Sequence, residues 1–355
     1  MHIGFLFHKI PVENPSSIDQ VRLRALCLGL ARLGARVTVV APVSRPGFLG
    51  GSIPVRPLQA LSENPGFDAL KVCYHYSMEL VRDYRGPLAC RLVRVVDERL
   101  PERDGGERER LLACQLLAAQ RADGMIFNNR QNAARWRARY GAGKGIAIIP
   151  TGCPTEIPAA GPDPYVRRLP VMLFLGSLAS PRMIRLINEA AERLRGRMAI
   201  HVVGRNKSRL YGGEFLPLSP LIEEHGEIPE EAVWDHIRYA RIGLALAAGP
   251  DPFDNDLSKI MSYMRGGLPI LCEERIPNIG QALRSGLAWR FAFGDAGDLV
   301  RVALMMEPSG AREIEPEALD SFIDRNSWSR RAEALYRFMQ KLISFREKGK
   351  RGWGL

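Results

Sequence analysis

The chain has 355 residues, of which 46% are hydrophobic and 25% are charged, a balance typical of globular proteins and not of disordered ones. This length is too great for one compact core and predicts two domains of ordinary size. No run of about 18 consecutive apolar residues occurs, which argues against a membrane-spanning helix. The first residues, MHIGFLFHK, predict a strand and not a signal peptide, so we expect a cytoplasmic protein.

The first half of the chain alternates predicted strands and helices, the order typical of parallel α/β sheets. Short apolar runs rich in β-branched residues predict strands at residues 3–7, 35–42, 69–77, 92–98, 124–129 and 145–152. Amphipathic spacing predicts helices at residues 18–33, 107–120 and 132–140. We therefore expect a Rossmann-like N-terminal domain over residues 1–155.

Residues 153–169 are rich in Pro and Gly and lack periodicity, which indicates a linker. A second series of elements predicts a Rossmann-like C-terminal domain over residues 165–325. Its strands are predicted at residues 171–177, 198–204, 242–249 and 268–273, and its helices at residues 183–194, 230–240, 257–264, 279–285 and 296–306. A last helix is predicted at residues 326–345, before a frayed tail at 346–355. Two such halves should face each other across a cleft, with ligands at the carboxyl ends of the strands.

The six cysteines are scattered along the chain, with no CxxC pair and no His at ligand spacing. This pattern predicts buried, reduced thiols and neither a zinc site nor a disulfide framework. We expect no bound metal. Asp254 and Asp256 superficially form a DxD pair, which we interpret as part of a loop.

The net charge of +11 is unevenly distributed. Residues 1–150 hold 22 Lys and Arg against 13 Asp and Glu, whereas the remainder holds 28 against 26. A basic first half suits an anionic acceptor, or peripheral contact with the anionic inner face of a membrane. A solvated, arginine-rich surface explains the charge equally well. No basic-aromatic motif or helix-turn-helix pattern supports nucleic-acid binding.

Several common enzyme motifs are missing from the sequence. There is no GxGxxG after the first strand and no GxxxxGK[ST], which argues against NAD(P)-linked and P-loop chemistry. Neither a GxSxG elbow nor an HExxH motif occurs.

The segment DNDLSKIMSYMRGGLPILC, residues 254–272, resembles the donor-site segment of GT-B glycosyltransferases, in particular those of family 4. In that family a short helix ends in Gly-x-Pro and an apolar strand follows. The resemblance extends over nearly the whole chain, because four further segments occur in the family's order: residues 149–154, 173–194, 225–246 and 326–339. It implies a GT-B fold whose last helix crosses back to the first domain. It also implies a glycosyltransferase whose nucleotide-sugar, UDP- or GDP-linked, is a substrate, with no further cofactor.

The resemblance implies a donor site that neutralises the leaving diphosphate with cations. Gly176 corresponds to the glycine after the family's first C-terminal strand, and Arg182 occupies the place of its phosphate-binding Lys. Ser177 replaces an Arg of the family. Lys259 is a candidate to supply the lost charge, and Arg205 is a weaker candidate. For each cation the alternative is an ordinary surface position at a strand or helix end.

The paired glutamates of family 4, eight positions apart, correspond to Asp254 and Ser262. A serine holds donor ribose hydroxyls less strongly than a carboxylate does, so retaining family-4 chemistry is in question. The Ser258–Lys259 pair is loosely similar to xanthan-type glucuronosyltransferases, in which a Lys neighbours the diphosphate. The sequence therefore leaves hexosyl and glucuronosyl transfer both open, with polysaccharide biosynthesis as the expected setting.

The first domain should bind the acceptor and supply any general base. Asp19 is either the cap of the first helix or that base. His75 and Asp97 each lie near the carboxyl end of a predicted strand, where a polar side chain faces the expected cleft. The acceptor, a saccharide, a lipid-linked sugar or a small molecule, is left open.

Two other functions remain as alternatives to a metal-independent glycosyltransferase. A non-catalytic GT-B relative would keep the fold as a binding or assembly module with a degenerate donor site, which Ser177 and Ser262 favour. A GT-B epimerase or phosphorylase is the third candidate.

Overall fold

The computed structural model describes residues 1–63, 66–96, 107–166, 169–208, 215–250, 257–306 and 315–348. The chain divides into two units. The first unit comprises Met1–Gly152 together with Trp328–Leu355, and the second comprises Cys153–Ser327. Within the described ranges, no helix has the length and apolar character needed to cross a membrane.

The first unit contains a sheet of eight described strands in the order β3-β4-β2-β1-β5-β6-β7-β8. The strands are β1 (His2–Leu6), β2 (Arg36–Ala41), β3 (Gly47–Leu49), β4 (Ile53–Pro57), β5 (Ala69–Val72), β6 (Leu88–Leu92), β7 (Gly124–Phe127) and β8 (Gly145–Ile148). All neighbours pair in parallel except β3 and β4, which are antiparallel. The helices that connect them are α1 (Ile18–Arg32), α2 (Glu107–Arg121) and α3 (Arg130–Tyr140).

The second unit contains a parallel sheet of six described strands in the order β11-β10-β9-β12-β13-β14. The strands are β9 (Val171–Leu175), β10 (Ala199–Val203), β11 (Ile222–Gly226), β12 (Ile242–Ala245), β13 (Ile270–Glu273) and β14 (Ala288–Phe291). The helices are α4 (Pro181–Arg193), α5 (Glu230–Tyr239), α6 (Lys259–Arg265), α7 (Gly280–Arg284), α8 (Ala296–Met306) and α9 (Pro316–Asn326). Strands β9, β10 and β13 are buried along their whole length, which agrees with the burial of both faces of a parallel sheet.

The C-terminal helix α10 (Trp328–Glu347) belongs to the first unit, where it packs against α1. A Cβ atom placed on Gly29 of α1 would lie only 2.5 Å from Cβ of Ala332 on α10. The glycine therefore allows the two helix backbones to approach closely, and Leu335 and Met339 complete the apolar contact with the α1 core.

The predicted parallel α/β architecture in two halves, with a C-terminal helix that returns to the first, is confirmed. One strand was predicted wrongly, because residues 92–98 were assigned to a strand that in fact lies at Leu88–Leu92. Val95 and Val96 are buried as in a strand, but their amides bond to side chains: Val95 N donates to Asn132 Oδ1 and Val96 N to Gln115 Oε1. The valines therefore fill a core pocket outside the sheet.

A second strand was predicted too long, because residues 69–77 form a strand only as far as Val72. The chain then turns into a 3-10 helix at His75–Val81. Strands β3, β4, β11 and β14 and helix α9 were not predicted. The sequence of β11, IEEHG, is too polar to resemble a strand.

Candidate functional site

The turn after β9 forms the centre of the candidate site in the second unit. Gly176 has φ +95°, a left-handed conformation that favours glycine. Its amide donates to the carbonyl of Val203 at 2.7 Å. A Cβ atom on Gly204, which follows β10, would lie 2.1 Å from the Gly176 carbonyl oxygen, so only a glycine fits there. The carboxyl ends of the two strands therefore pack backbone against backbone, and Gly176 itself is exposed.

Tyr263 of α6 holds this turn from below. Its side chain is fully buried, and its hydroxyl accepts a hydrogen bond from the amide of Leu175 at 3.0 Å. The hydroxyl donates to the carbonyl oxygen of Leu173 at 2.9 Å. The carbonyl oxygen of Leu244 is a second acceptor within reach, at 3.2 Å. A Cβ atom on Gly243 would lie 2.8 Å from the Tyr263 ring, so β12 carries a glycine where the ring crosses it. In the sequence this tyrosine is visible only as part of the donor motif, and its buried hydrogen bonds were not predicted.

Lys259 lies beside the Gly176 turn. Its Nζ is 3.4 Å from the ring centroid of Phe174 and 4.0 Å from the position of a Cβ on Gly176. No carboxylate or hydrogen-bond acceptor pairs with it among the residues that the structure describes. Burial lowers the pKa of Lys259 to about 7, although the residue as a whole keeps partial contact with solvent. The structure thus brings together two of the predicted donor-site residues, one of them an uncompensated amine.

Arg182, by contrast, is engaged by a buried carboxylate. Its guanidinium forms a bidentate pair with Glu273 at 2.5 and 2.9 Å and also donates to the carbonyl of Ala247. Glu273 is fully buried at the end of β13 and accepts two further bonds, from the amides of Ala247 at 2.7 Å and Gly294 at 2.8 Å. Arg182 also lies over the ring of Phe293, 4.4 Å from its centroid. This pairing was not predicted, because Glu273 lies 91 residues away in sequence and follows an apolar run.

The other predicted donor-site residues are placed as follows. Ser177 follows Gly176 and is partly exposed, and so are Ser258 and Ser262. Ser258 occupies the N-cap position of α6 without a side-chain capping bond. The side chain of Arg205 is 64% exposed and pairs with Glu227 at 2.9 Å, as the surface alternative predicts. Asp254 lies outside the described residues.

In the first unit, Asp19 is not the helix cap. The N-cap of α1 is Ser17, and Asp19 lies in the first helical turn. Its carboxylate forms ion pairs with Lys9 at 3.5 Å and with Arg91 at 3.7 Å, and it is 16% exposed. Since the cap interpretation is wrong, a carboxylate fixed by two cations remains for the second alternative.

Asp19 belongs to a larger charged cluster around a small cavity of about 10 Å³ at the ends of β1 and β5. Arg91 donates to Asn128 Oδ1 at 3.3 Å and lies over the ring of Tyr74. Lys71 is almost completely buried, 3.5 Å from the Cys73 sulfur, and burial lowers its pKa. Neither cation was predicted, since each is the single charge within a short buried strand.

His75 does not lie at a strand end. It begins the 3-10 helix, is 4% exposed, and neither ring nitrogen has a hydrogen-bond partner in the described part of the chain. Burial lowers its pKa to about 4, with Arg94 and Arg91 acting in the same direction. Its imidazole is therefore neutral at pH 7. Asp97 lies outside the described residues.

The positive charge of the chain resides in the first unit. That unit contains 30 Lys and Arg against 15 Asp and Glu, a net charge of +15. The second unit contains 20 against 24, a net charge of −4. The asymmetry is larger than the division at residue 150 indicated, because the C-terminal segment adds its basic residues to the first unit.

One group of side chains in the described ranges has the composition and spacing to hold a metal ion. It consists of His201, Glu223 and His225, on β10 and β11. The group was not predicted from the sequence, where ligand spacing is visible only between close neighbours. The two histidines are 24 residues apart.

No protein-family model matches the chain, and no curated protein matches it. Solved structures do match it over nearly its whole length. Sucrose-phosphate synthase from Thermosynechococcus elongatus is 15% identical, with a TM-score of 0.71 over 97% of this chain and 99% of that one. Anabaena HepE, in complex with UDP and glucose, is 12% identical, with a TM-score of 0.70 over 95% and 99%. AviGT4, a glycosyltransferase of avilamycin A biosynthesis, is 16% identical, with a TM-score of 0.62 over 99% of each chain.

At these identities the similarity establishes the fold. The chain has the GT-B fold of glycosyltransferases, as the sequence resemblance predicted.

Proposed function

We propose that the chain is a glycosyltransferase that binds a nucleotide-sugar donor in its second unit, at the carboxyl end of β9. The observation that carries this proposal is the position of Lys259. Its amine has no ion-pair partner among the described residues and lies beside the exposed backbone turn at Gly176. An uncompensated amine at the end of a parallel strand suits a group that arrives with its own negative charge.

The chemistry of glycosyl transfer needs a cation beside the diphosphate. As the bond between the sugar and the diphosphate breaks, negative charge accumulates on the diphosphate, and a fixed cation stabilises it most in the transition state. Gly176 has no side chain, so a phosphate oxygen can approach the backbone closely. With a pKa of about 7, Lys259 gains its full charge when the diphosphate binds.

We propose UDP as the nucleotide, since Anabaena HepE was solved with UDP and with UDP-glucose. Ser258 and Ser262 are candidates to hydrogen-bond the donor, with Asp254 as a carboxylate partner for the ribose. These residue types fit hexosyl or glucuronosyl transfer by a metal-independent route, in which lysine takes the place of a metal ion. Arg205 and Ser177 complete the candidate set.

We assign Arg182 a positioning role. Its guanidinium neutralises Glu273, whose carboxylate ties the amides of Ala247 and Gly294 together. Both terminal nitrogens of Arg182 are already engaged by Glu273 and by the Ala247 carbonyl, so its charge is compensated within the fold. Lys259 is therefore the principal phosphate-binding cation of the proposal.

For the acceptor we propose an anionic saccharide or lipid-linked sugar, bound by the first unit with its net charge of +15. Asp19 is the candidate general base, held by Lys9 and Arg91. His75, neutral and buried, is a candidate only if the acceptor reaches it, and Asp97 stays a prediction. The same charge suits peripheral contact with the inner face of a membrane during polysaccharide biosynthesis in the cytoplasm.

Isothermal titration with UDP, GDP, UDP-glucose and UDP-glucuronate tests the donor site. We expect UDP and one UDP-sugar to bind the wild type, and Lys259→Met to weaken binding at least ~10-fold, since charge-assisted contacts are worth about 1.5–3 kcal/mol. Lys207→Met is the matched control, because Lys207 lies in the same unit but pairs with Glu227. Equal affinity of the wild type and Lys259→Met, or no binding of any nucleotide, would overturn the proposal.

A non-catalytic binding protein is the second candidate, favoured by the serines at positions 177 and 262. It predicts UDP binding without turnover. An assay for slow hydrolysis of a bound UDP-sugar to UDP, measured by chromatography, distinguishes the enzyme from the binding protein. UDP release that Lys259→Met abolishes supports the enzyme, whereas a donor that binds and stays intact with every acceptor tried supports the binding protein.

A further inference from the structure

Three of the six histidines of the chain converge in the second unit. They are His201 on β10, His225 on β11 and His236 on α5. The rings of His201 and His225 stack with centroids 5.2 Å apart, and His201 Nδ1 lies 2.9 Å from His225 Nε2. His236 packs edge-on against His225, with centroids 4.6 Å apart. Tyr165 contacts all three rings, so an aromatic wall closes one side of the cluster.

The strand pairing explains how two residues of β11 reach His201. His201 is the register partner of Glu223, and the pairing then shifts between Val202 and Val203, so that Val203 pairs with Gly226. His225 is the additional residue of this bulge. Bulges re-aim side chains and are common beside functional sites. Here the Glu223 carboxylate lies 3.9 Å from His201 Nε2, and the His225 ring meets Nδ1 of the same imidazole.

The spacing of these atoms suits a small metal ion. One ligand atom from each of His201, Glu223 and His225 can be chosen so that all lie within 4.8 Å of one another. A tetrahedral zinc site with bonds of about 2.0–2.1 Å has ligand atoms about 3.3 Å apart. His201 can offer only one ring nitrogen to an ion: either Nδ1, which lies 2.9 Å from His225 Nε2, or Nε2, which lies 3.9 Å from Glu223. The remaining side chain has to rotate toward the ion to complete the set.

The surroundings also favour a metal. His201 is fully buried, whereas the Glu223 side chain is 40% exposed, so the group opens to solvent on one side. His236 is 6% exposed, and its Nδ1 is a buried nitrogen without a hydrogen-bond partner in the described part of the chain. That unsatisfied nitrogen is a second polar feature beside the three ligands.

We propose that His201, Glu223 and His225 bind a divalent transition metal, with zinc as the ion that this ligand set fits best. Two imidazoles and a carboxylate are borderline-soft ligands, which select zinc and its neighbours over magnesium or calcium. A water molecule from the exposed side of the group would be the fourth ligand of the ion. Since β11 is the edge strand of its sheet, the metal links that edge to β10. This inference is independent of the donor site at Lys259.

Titration of the full-length, chelator-treated protein with ZnCl2 tests the site, and CoCl2 gives a second readout because tetrahedral Co²⁺ absorbs far more strongly than the aqueous ion. We expect one Zn²⁺ per chain. Loss of a partner behind a ligand already costs about 10- to 100-fold in affinity, so Glu223→Gln and His225→Gln should each weaken binding by at least that factor. Both side chains are partly exposed, so both variants should fold.

Glu224→Gln is the matched control, since Glu224 lies between the two ligands on β11 and is exposed. It should bind Zn²⁺ as the wild type does and keep the Co²⁺ spectrum. Zn²⁺ should also raise the Tm of the wild type and of Glu224→Gln, and not that of the two ligand variants. The same Zn²⁺ affinity in all four proteins, or none in the wild type, would overturn the site.

Discussion

The ammonium nitrogen of Lys259 lies 3.4 Å from the ring centroid of Phe174. The face of the ring attracts the charged amine, while removal from water disfavours it. Desolvation is the larger effect and lowers the pKa of the lysine to about 7. The charge of the proposed donor site therefore changes within the physiological pH range. Few lysines titrate in that range.

The affinity for UDP should fall as the pH rises from 7 to 9. A bound diphosphate raises the pKa of Lys259, so UDP binds the protonated form best. Above the free pKa of about 7, up to ~10-fold of affinity is lost for each pH unit. Isothermal titration at pH 7, 8 and 9 measures the slope. Lys259→Arg, which stays charged, should flatten it, and an equally flat wild-type profile would contradict the assignment.

Replacement of Lys259 by methionine should stabilise the ligand-free protein. The change removes a desolvated amine that has no ion-pair partner among the described residues, and it keeps an unbranched side chain that is one heavy atom shorter. We expect the Tm to rise by about 2 °C or more while UDP affinity falls, the trade-off common at binding sites. Thermal melts with and without UDP measure both effects. A lower Tm for the ligand-free variant would show that the amine stabilises the fold.

Loss of the Glu273 carboxylate should be strongly destabilising. Glu273→Ala leaves the Arg182 guanidinium without its partner, and it frees the amides of Ala247 and Gly294. Each amide left without its acceptor costs about 1–3 kcal/mol, whereas the Arg182 side chain is 28% exposed and can regain water. Urea denaturation measures the total loss. Arg182→Met should also destabilise, and the double variant should lose less than the sum of the two. Additive losses would mean that the pair is not coupled.

Tyr263→Phe should destabilise the second unit and loosen the Gly176 turn. The variant removes a buried hydroxyl and leaves the amide of Leu175 without its acceptor, at a cost of about 1–3 kcal/mol. Tyr239→Phe is the control, since its hydroxyl bonds to the Gly161 carbonyl at an exposed position. Urea denaturation should separate the two variants clearly. The same loss of stability in both would show that the Tyr263 hydroxyl has no special role.

The strand and helix order was predictable because apolar runs and amphipathic spacing report burial directly. Gly176 and Lys259 were singled out because each lies in a segment that resembles a segment of GT-B glycosyltransferases: Gly176 after a predicted strand, and Lys259 in the helix before Gly-x-Pro. The residues that were missed act at long range. Glu273 looks like the polar end of a strand until Arg182 is brought to it, and β11 looks like a loop because its buried contacts are histidine rings.

Sequence patterns do not report the pairing register of neighbouring strands. His201 and His225 meet across two strands that are not adjacent in sequence, and their pairing shifts by one residue between Val202 and Val203. Val95 and Val96 mimic a strand because valine favours both sheets and packed cores, and only the acceptors of their amides show which applies. Local propensity cannot distinguish these cases, since the deciding partners lie elsewhere in the chain.

The return of α10 to the first unit has a consequence for synthesis on the ribosome. The apolar face of α1 includes Gly29, which lies closest to α10. This face is covered only when Ala332 and Leu335 of α10 pack on it. After Gly152, the last residue of the first segment, the ribosome must translate the 175 residues of Cys153–Ser327 before it reaches α10. At ~5–20 residues per second this takes roughly 10 to 35 s. The second unit is contiguous and can complete its fold in that interval, so the half of the protein that is made first is finished last.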